Sequence, residues 1–141
     1  DPGSFRNKSL ISGENTSWIR LRFTYPGDSS FVLEKKDKAW YVDQTPADSA
    51  RTTEYLGNME RVMGYEFADS ARRAQFPAFT LLVEQSGGNP IEIKAFPSDS
   101  THHYVLSSSM NPESWFRGKN GLTERIFKGK NYFLKQQKET K

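Results

Sequence analysis

Hydrophobic and polar positions alternate with a period of two along residues 18–25, where Ile19, Leu21, Phe23 and Tyr25 interleave with Arg20, Arg22 and Thr24. This is the pattern of a strand with one buried face and one wet face. Two shorter strand-like runs follow at 31–34 and 39–42, separated from it and from each other by Pro26-Gly27-Asp28 and Lys35-Lys36-Asp37-Lys38. Both separators carry residues that favour reversals. The same order returns in the second half. A run at 79–85 leads through Ser86-Gly87-Gly88-Asn89 to 91–96, where Ile91 and Ile93 alternate with Glu92 and Lys94, and then to 102–106. Trp40-Tyr41-Val42 in the first pass is echoed by His103-Tyr104-Val105 in the second. Each pass closes on what reads as a capped helix start, Thr45-Pro46-Ala47-Asp48 and Asn111-Pro112-Glu113.

Sequential strands joined by tight turns form antiparallel meanders, not a parallel nucleotide-binding sheet. The expected fold is therefore α+β, with antiparallel meander sheets and packed helices arranged as a pseudo-repeat of strand-strand-strand-helix. A flexible segment is expected over 1–17 and a charged tail over 135–141. Between them a single domain runs over 18–134, in two halves of about 18–75 and 79–134. Whether the halves share one sheet or form two is left open by the pattern.

The first helix is the most fully specified element. Thr45 suits the N-cap, with its side chain accepting from the Asp48 amide; Pro46 suits the first helical position, and Asp48 favours the positive end. Tyr55, Leu56, Met59, Val62 and Met63 then recur at helical spacing, opposite a wet face of Arg51, Glu54, Asn58 and Arg61. Gly64 reads as the C′ stop. Gly57, costly inside a helix, suggests close approach to the sheet. Trp40 is expected to lie buried against Leu56 and Met59, and Phe127 joins these three as structural core. Ala47-Asp48-Ser49-Ala50-Arg51 recurs as Ala68-Asp69-Ser70-Ala71-Arg72, which suggests a second helix start of similar chemistry.

The chain has 141 residues, enough for one domain with its own core, and 13% of them are aromatic. It contains no cysteine, which removes disulfides, thiolate ligands and cysteine nucleophiles. No apolar run approaches the roughly 20 residues that span a bilayer as a helix. The net charge of +3 is unevenly spread. Residues 112–141 carry eight Lys or Arg against three Glu, a net of +5, and residues 1–111 carry a net of −2.

Candidate chemistry is sparse. His102 and His103 are the two histidines, and neighbours in a strand point to opposite faces, so they suit the surface better than one metal. No cysteine or carboxylate cluster completes a site, and neither a metal nor a cofactor is expected. Ser107-Ser108-Ser109 lacks the glycine-flanked elbow of a nucleophile and reads as a polar loop. Gly118-Lys119 has neither the upstream glycine nor the following hydroxyl of a phosphate loop. No catalytic residues are assigned, and the chain is read as not an enzyme. The basic motif Phe116-Arg117-Gly118-Lys119-Asn120 does recur as Phe127-Lys128-Gly129-Lys130-Asn131. Arg117, Lys119, Lys128 and Lys130 are thus a candidate partner-binding surface. Interleaved with aromatics they suit nucleic acid through phosphate contacts and stacking; the simpler reading puts the aromatics in the core and the lysines in solvent. Trp40 has the same two readings, ligand platform or core.

Strand, turn and strand, then Lys38-Ala39-Trp40-Tyr41-Val42, then Ala47-Asp48 ahead of Leu56, resemble the bacterial domain of unknown function numbered 4340. The stretch Asn111-Pro112-Glu113-Ser114-Trp115-Phe116 through Ile126-Phe127-Lys128-Gly129-Lys130 is similar to the end of that domain. The resemblance covers about residues 18–134. It implies an envelope-associated protein, periplasmic or extracytoplasmic, tethered by an N-terminal membrane segment upstream of the Asp1-Pro2-Gly3-Ser4 opening. It also implies a protein partner in an ABC-transporter-related or gliding-motility-type complex, and it carries no catalytic residues over. The expectation is a non-enzymatic accessory or interaction domain of a bacterial envelope complex. The alternative is a nucleic-acid-binding module using the basic C-terminal lobe.

Overall fold

The computed structural model describes residues 7–68, 73–98, 104–119 and 121–135. Its first strands are β1 (Ser9–Ser12), β2 (Trp18–Thr24), β3 (Phe31–Lys36), β4 (Ala39–Val42) and β5 (Thr45–Pro46). Helix α1 (Ser49–Met59) and strand β6 (Arg61–Met63) follow. The second half holds β7 (Phe79–Gln85), β8 (Ile91–Pro97), β9 (Tyr104–Ser108) and β10 (Asn111–Gly118), then the short helices α2 (Leu122–Ile126) and α3 (Lys130–Phe133).

The fold is α+β, built on an antiparallel meander. Both halves join one eight-stranded sheet of order β10-β9-β8-β7-β2-β3-β4-β5, closed in the middle by the antiparallel β2–β7 ladder. Outward from that ladder the order is a simple meander in both directions. The pseudo-repeat therefore exists, but its fourth element is a strand. Thr45-Pro46 and Asn111-Pro112, both expected to start helices, both begin return strands. In β10 the residues after Glu113 decide this. Ser114, Phe116 and Gly118 are buried and alternate with the half-buried Trp115 and Arg117, a period of two that a helix cannot satisfy. Pro112 is tolerated because β10 is the last strand of the sheet and its register to β9 is irregular between Asn111 and Phe116.

One face of the sheet packs on the helices. Leu21 and Phe23 of β2, Phe31 and Leu33 of β3, and Leu81 and Val83 of β7 share one buried cluster with Tyr55, Leu56 and Met59 of α1 and Phe133 of α3. The other face carries an ion-pair ladder across β3, β2 and β7. Arg20 reaches Glu34 at 3.0 Å and Glu84 at 2.7 Å, and Arg22 Nε reaches Glu84 at 2.7 Å. Both outer edges are partly closed by chain segments, which blunts edge-to-edge association. Phe67 bridges to Phe116 beside β10, and Ala47 bridges to Leu134 beside β5.

Several local expectations are corrected. The N-cap of α1 is Asp48, whose Oδ1 accepts from Arg51 N at 3.0 Å, and not Thr45, which is committed to β5. The buried stripe Thr52, Tyr55, Leu56 and Met59 ends with the helix. Val62 and Met63 fall in β6, because β1 offers Arg61–Met63 a ladder partner. The segment expected to be flexible over 1–17 thus contributes a strand, with Leu10 and Ile11 fully buried. Gly64 is not a helix stop; it lies beyond β6, where a Cβ would collide with the Phe116 ring. Gly57 approaches nothing, since a Cβ there would meet no atom within 4 Å. In β2, the register shift between Trp18 and Arg20 turns Trp18 into the core and leaves Ile19 37% exposed. Ser108 is a buried strand residue whose hydroxyl donates to the Leu10 carbonyl, not part of a loop. The repeated segment at 69–72, the pair His102 and His103, and residues 136–141 lie outside the described residues.

Candidate functional site

The four cations singled out by the sequence do not form one surface. Arg117 Nε and Lys119 Nζ share the Glu66 carboxylate, each at 3.0 Å, beside the β10 edge of the sheet. The hydrogen bond from Lys119 and the charge of both cations hold the Glu66 carboxyl below its ordinary range. Lys130 lies toward the opposite edge, where its Nζ is 3.0 Å from Asp43 Oδ2 in the turn between β4 and β5. Burial pushes the Asp43 carboxyl up, but its hydrogen bonds from the Val32 amide and Lys130, with the lysine charge, outweigh this and bring it below the usual value. Lys128 Nζ lies over the Tyr132 ring, 4.9 Å from its centroid. Cations already held by carboxylates or rings are poorly placed to track a phosphate backbone.

Of the four residues assigned to the core, Leu56, Met59 and Phe127 are buried. Trp40 is half-buried against the rim of the core and not sealed under α1. It walls a depression of about 320 Å³ with Ala47 and Thr53, and Lys35 Nζ sits 5.8 Å from its ring. The fully buried tryptophan is Trp18. The signal that marked it was present, since a tryptophan opened the first strand; the bulge that turns it inward carries no sequence signature of its own.

The segment after β10 crosses the core face of the sheet and is pinned there by two tyrosines. Tyr55 OH donates to the Ile126 carbonyl at 2.6 Å, and Tyr25 OH donates to the Lys128 carbonyl. Burial pushes both phenols above their ordinary range, so both remain donors at neutral pH. Thr123 Oγ1 donates to the Gly118 carbonyl at 3.0 Å and fixes the start of the crossing.

Between this segment and the sheet lies a cleft of about 590 Å³, bounded by Tyr25, Pro26 and Ser29 after β2, Phe79 of β7, Tyr104 of β9, and Thr123, Glu124, Phe127 and Gly129 of the crossing. Its walls are aromatic. Phe79 packs against Tyr25 at 5.3 Å, Tyr104 at 4.9 Å and Phe127 at 5.5 Å between ring centroids. Glu124 lies at the mouth, exposed and without a side-chain partner among the described residues. Sequence reasoning missed this site because its four rings come from four elements. The available clue was Tyr104, the residue that matches Tyr41 in the echo of the two passes.

A second depression of about 400 Å³ on the opposite face is bounded by Arg20, Arg22, Val32, Glu34, Asp43 and Gln44. Most of its charges are engaged by one another or by Glu84 and Lys130. Among the described residues, no three His, Asp or Glu side chains are grouped to hold a metal ion. No helix among them is long and apolar enough to cross a membrane. Comparison with protein-family models, with curated proteins and with solved structures finds no match to this chain.

Proposed function

We propose that this chain is a non-enzymatic interaction domain that works outside the cytoplasmic membrane, as an accessory part of a bacterial envelope complex, and that the aromatic cleft seats its protein partner. The observation that carries this reading is the cleft itself. Its volume of about 590 Å³ falls within the range of roughly 300–1,000 Å³ common for binding pockets. It combines apolar walls with a few polar groups, and the crossing segment on one side is held in place by the Tyr25 and Thr123 hydrogen bonds, so little ordering is needed on binding. The envelope location and an ABC-transporter-related partner rest on the resemblance to the domain numbered 4340. The nucleic-acid reading is disfavoured by the carboxylates that already hold Arg117, Lys119 and Lys130.

The test is site-specific cross-linking in the native host, with a photoreactive residue at Ser29 on the cleft rim or at Lys94 on the far face of the sheet. Adducts with one envelope protein from Ser29 alone are expected. Equal adducts from both positions, or a cytosolic partner, overturn the proposal. A steep fall of nucleic-acid affinity with salt, from a tight starting value, would instead establish the alternative.

A further inference from the structure

We infer that the cleft recognises a cationic side chain of the partner polypeptide, an arginine by preference, stacked on its aromatic walls under the Glu124 carboxylate. This rests on the reading of the cleft as the partner's seat. Most rings of the described residues that are neither sealed in the core nor fully exposed carry a cation. Lys8 lies over Phe67, Lys35 over Trp40, Lys36 over Tyr41, Arg73 over Trp115, and both Arg51 and Lys128 over Tyr132. Such contacts arise about once per 70–80 residues in structures, so this surface systematically pairs its half-buried rings with cations. The other half-buried rings among the described residues are Tyr25, Phe79 and Tyr104, and none of them carries a cation. All three line the cleft.

The electrostatics of the site point the same way. A ring face is the negative part of its quadrupole, and here several rings meet with no lysine or arginine among the described lining residues. Glu124 adds a carboxylate at the mouth, and Asp28 is exposed in the turn between Pro26 and Ser29, which both border the cleft. Neither has an ion-pair partner among the described residues, whereas Glu34, Glu66 and Glu84 are all engaged. An aromatic cleft bordered by the unpaired Glu124 carboxylate complements a positive group with an apolar stem. Guanidinium fits better than ammonium because it is flat, weakly hydrated and stacks on rings. The molecule already contains that geometry, with the Arg73 guanidinium 3.5 Å from the Trp115 ring centroid.

The test is an NMR titration of the full chain with the capped tripeptide acetyl-Gly-Arg-Gly-amide and with its neutral citrulline counterpart. The arginine peptide should shift the ring resonances of Tyr25, Phe79 and Tyr104, and the citrulline peptide should bind about three- to thirtyfold more weakly. Glu124→Lys should weaken the arginine peptide and leave the citrulline peptide unchanged; Glu124 is exposed in the first turn of α2, so the fold is retained. Tyr104→Leu should weaken both. Equal binding of the two peptides in the cleft overturns the cation preference while leaving the cleft as a partner seat. Absence of shifts with either peptide also overturns it, and cross-linking from Ser29 then reports separately on whether the cleft is the seat.

Discussion

Two glycines provide a sharp test of the packing, because the structure reverses the roles that their sequence positions suggest. At Gly64 a Cβ would lie 2.5 Å from Phe116 Cγ and 2.7 Å from Cε1, well inside the roughly 3.5–4.0 Å of a normal carbon contact. Phe116 cannot step aside cheaply. It is fully buried, and the Phe67 ring stacks on it at a centroid distance of 5.1 Å. Relief requires the ring to move by about 1 Å or the bridge between Phe67 and Phe116 to open. Overpacking of this kind costs about 1–3 kcal/mol, and the wedged ring places Gly64→Ala near the upper end. Gly57 lies in α1, exposed, and a Cβ added to it would meet nothing within 4 Å. Gly57→Ala should therefore stabilise by about 0.5–1 kcal/mol through helix propensity. Urea denaturation followed by circular dichroism reads both, with midpoints moving in opposite directions at similar slopes. A neutral Gly64→Ala would refute the close approach to Phe116, and a destabilising Gly57→Ala would refute the open space beside α1.

Trp18→Ala should cost about 3–5 kcal/mol as a large deletion from a sealed site, and Trp40→Ala clearly less, because Trp40 is only half-buried; equal denaturation midpoints for the two variants would contradict the bulge in β2. Asp48→Ala should lose about 1 kcal/mol with the N-cap, while Thr45→Ala should stay within about 0.5 kcal/mol, and thermal melts that rank them the other way would return the cap to Thr45. The hydrogen bond from Arg22, with the charges of Arg20 and Arg22, holds the Glu84 carboxyl below its ordinary value of 4.5. A carboxylate depressed in the folded state contributes stability above its unfolded pKa and loses it as pH falls through the folded value. Stability should therefore decline as the solution is acidified below about pH 4.5, and Glu84→Gln should flatten that decline. An unchanged acid limb would contradict the ion-pair ladder.

The sequence alone determined those features whose cause is local. A period of two in the side chains names a strand and its wet face, so β2 and β8 and the wet-face arginines of β2 were legible, as was a meander from the short turns between strands. The first helix was legible too, since the spacing of Tyr55, Leu56 and Met59 and a nearby capping group depend on neighbours within a few residues. What a residue meets across the fold was not. Thr45-Pro46 and Asn111-Pro112 have the composition of helix starts, yet each lies beside a strand whose unpaired backbone draws it into the sheet. Val62 and Met63 keep the helical spacing but leave the helix, because β1 supplies hydrogen bonds from about fifty residues away. Gly57 and Gly64 are indistinguishable by type; only the position of Phe116 separates them. The cations Arg117 and Lys130 sit in near-identical motifs and are carried to different carboxylates. The cleft belongs wholly to this second class. Tyr25, Phe79, Tyr104 and Phe127 are far apart along the chain, and they meet because the β2–β7 ladder and the crossing segment bring four elements to one end of the sheet. Local patterning selects the elements, and burial of their shared apolar face decides which surfaces remain open for a partner.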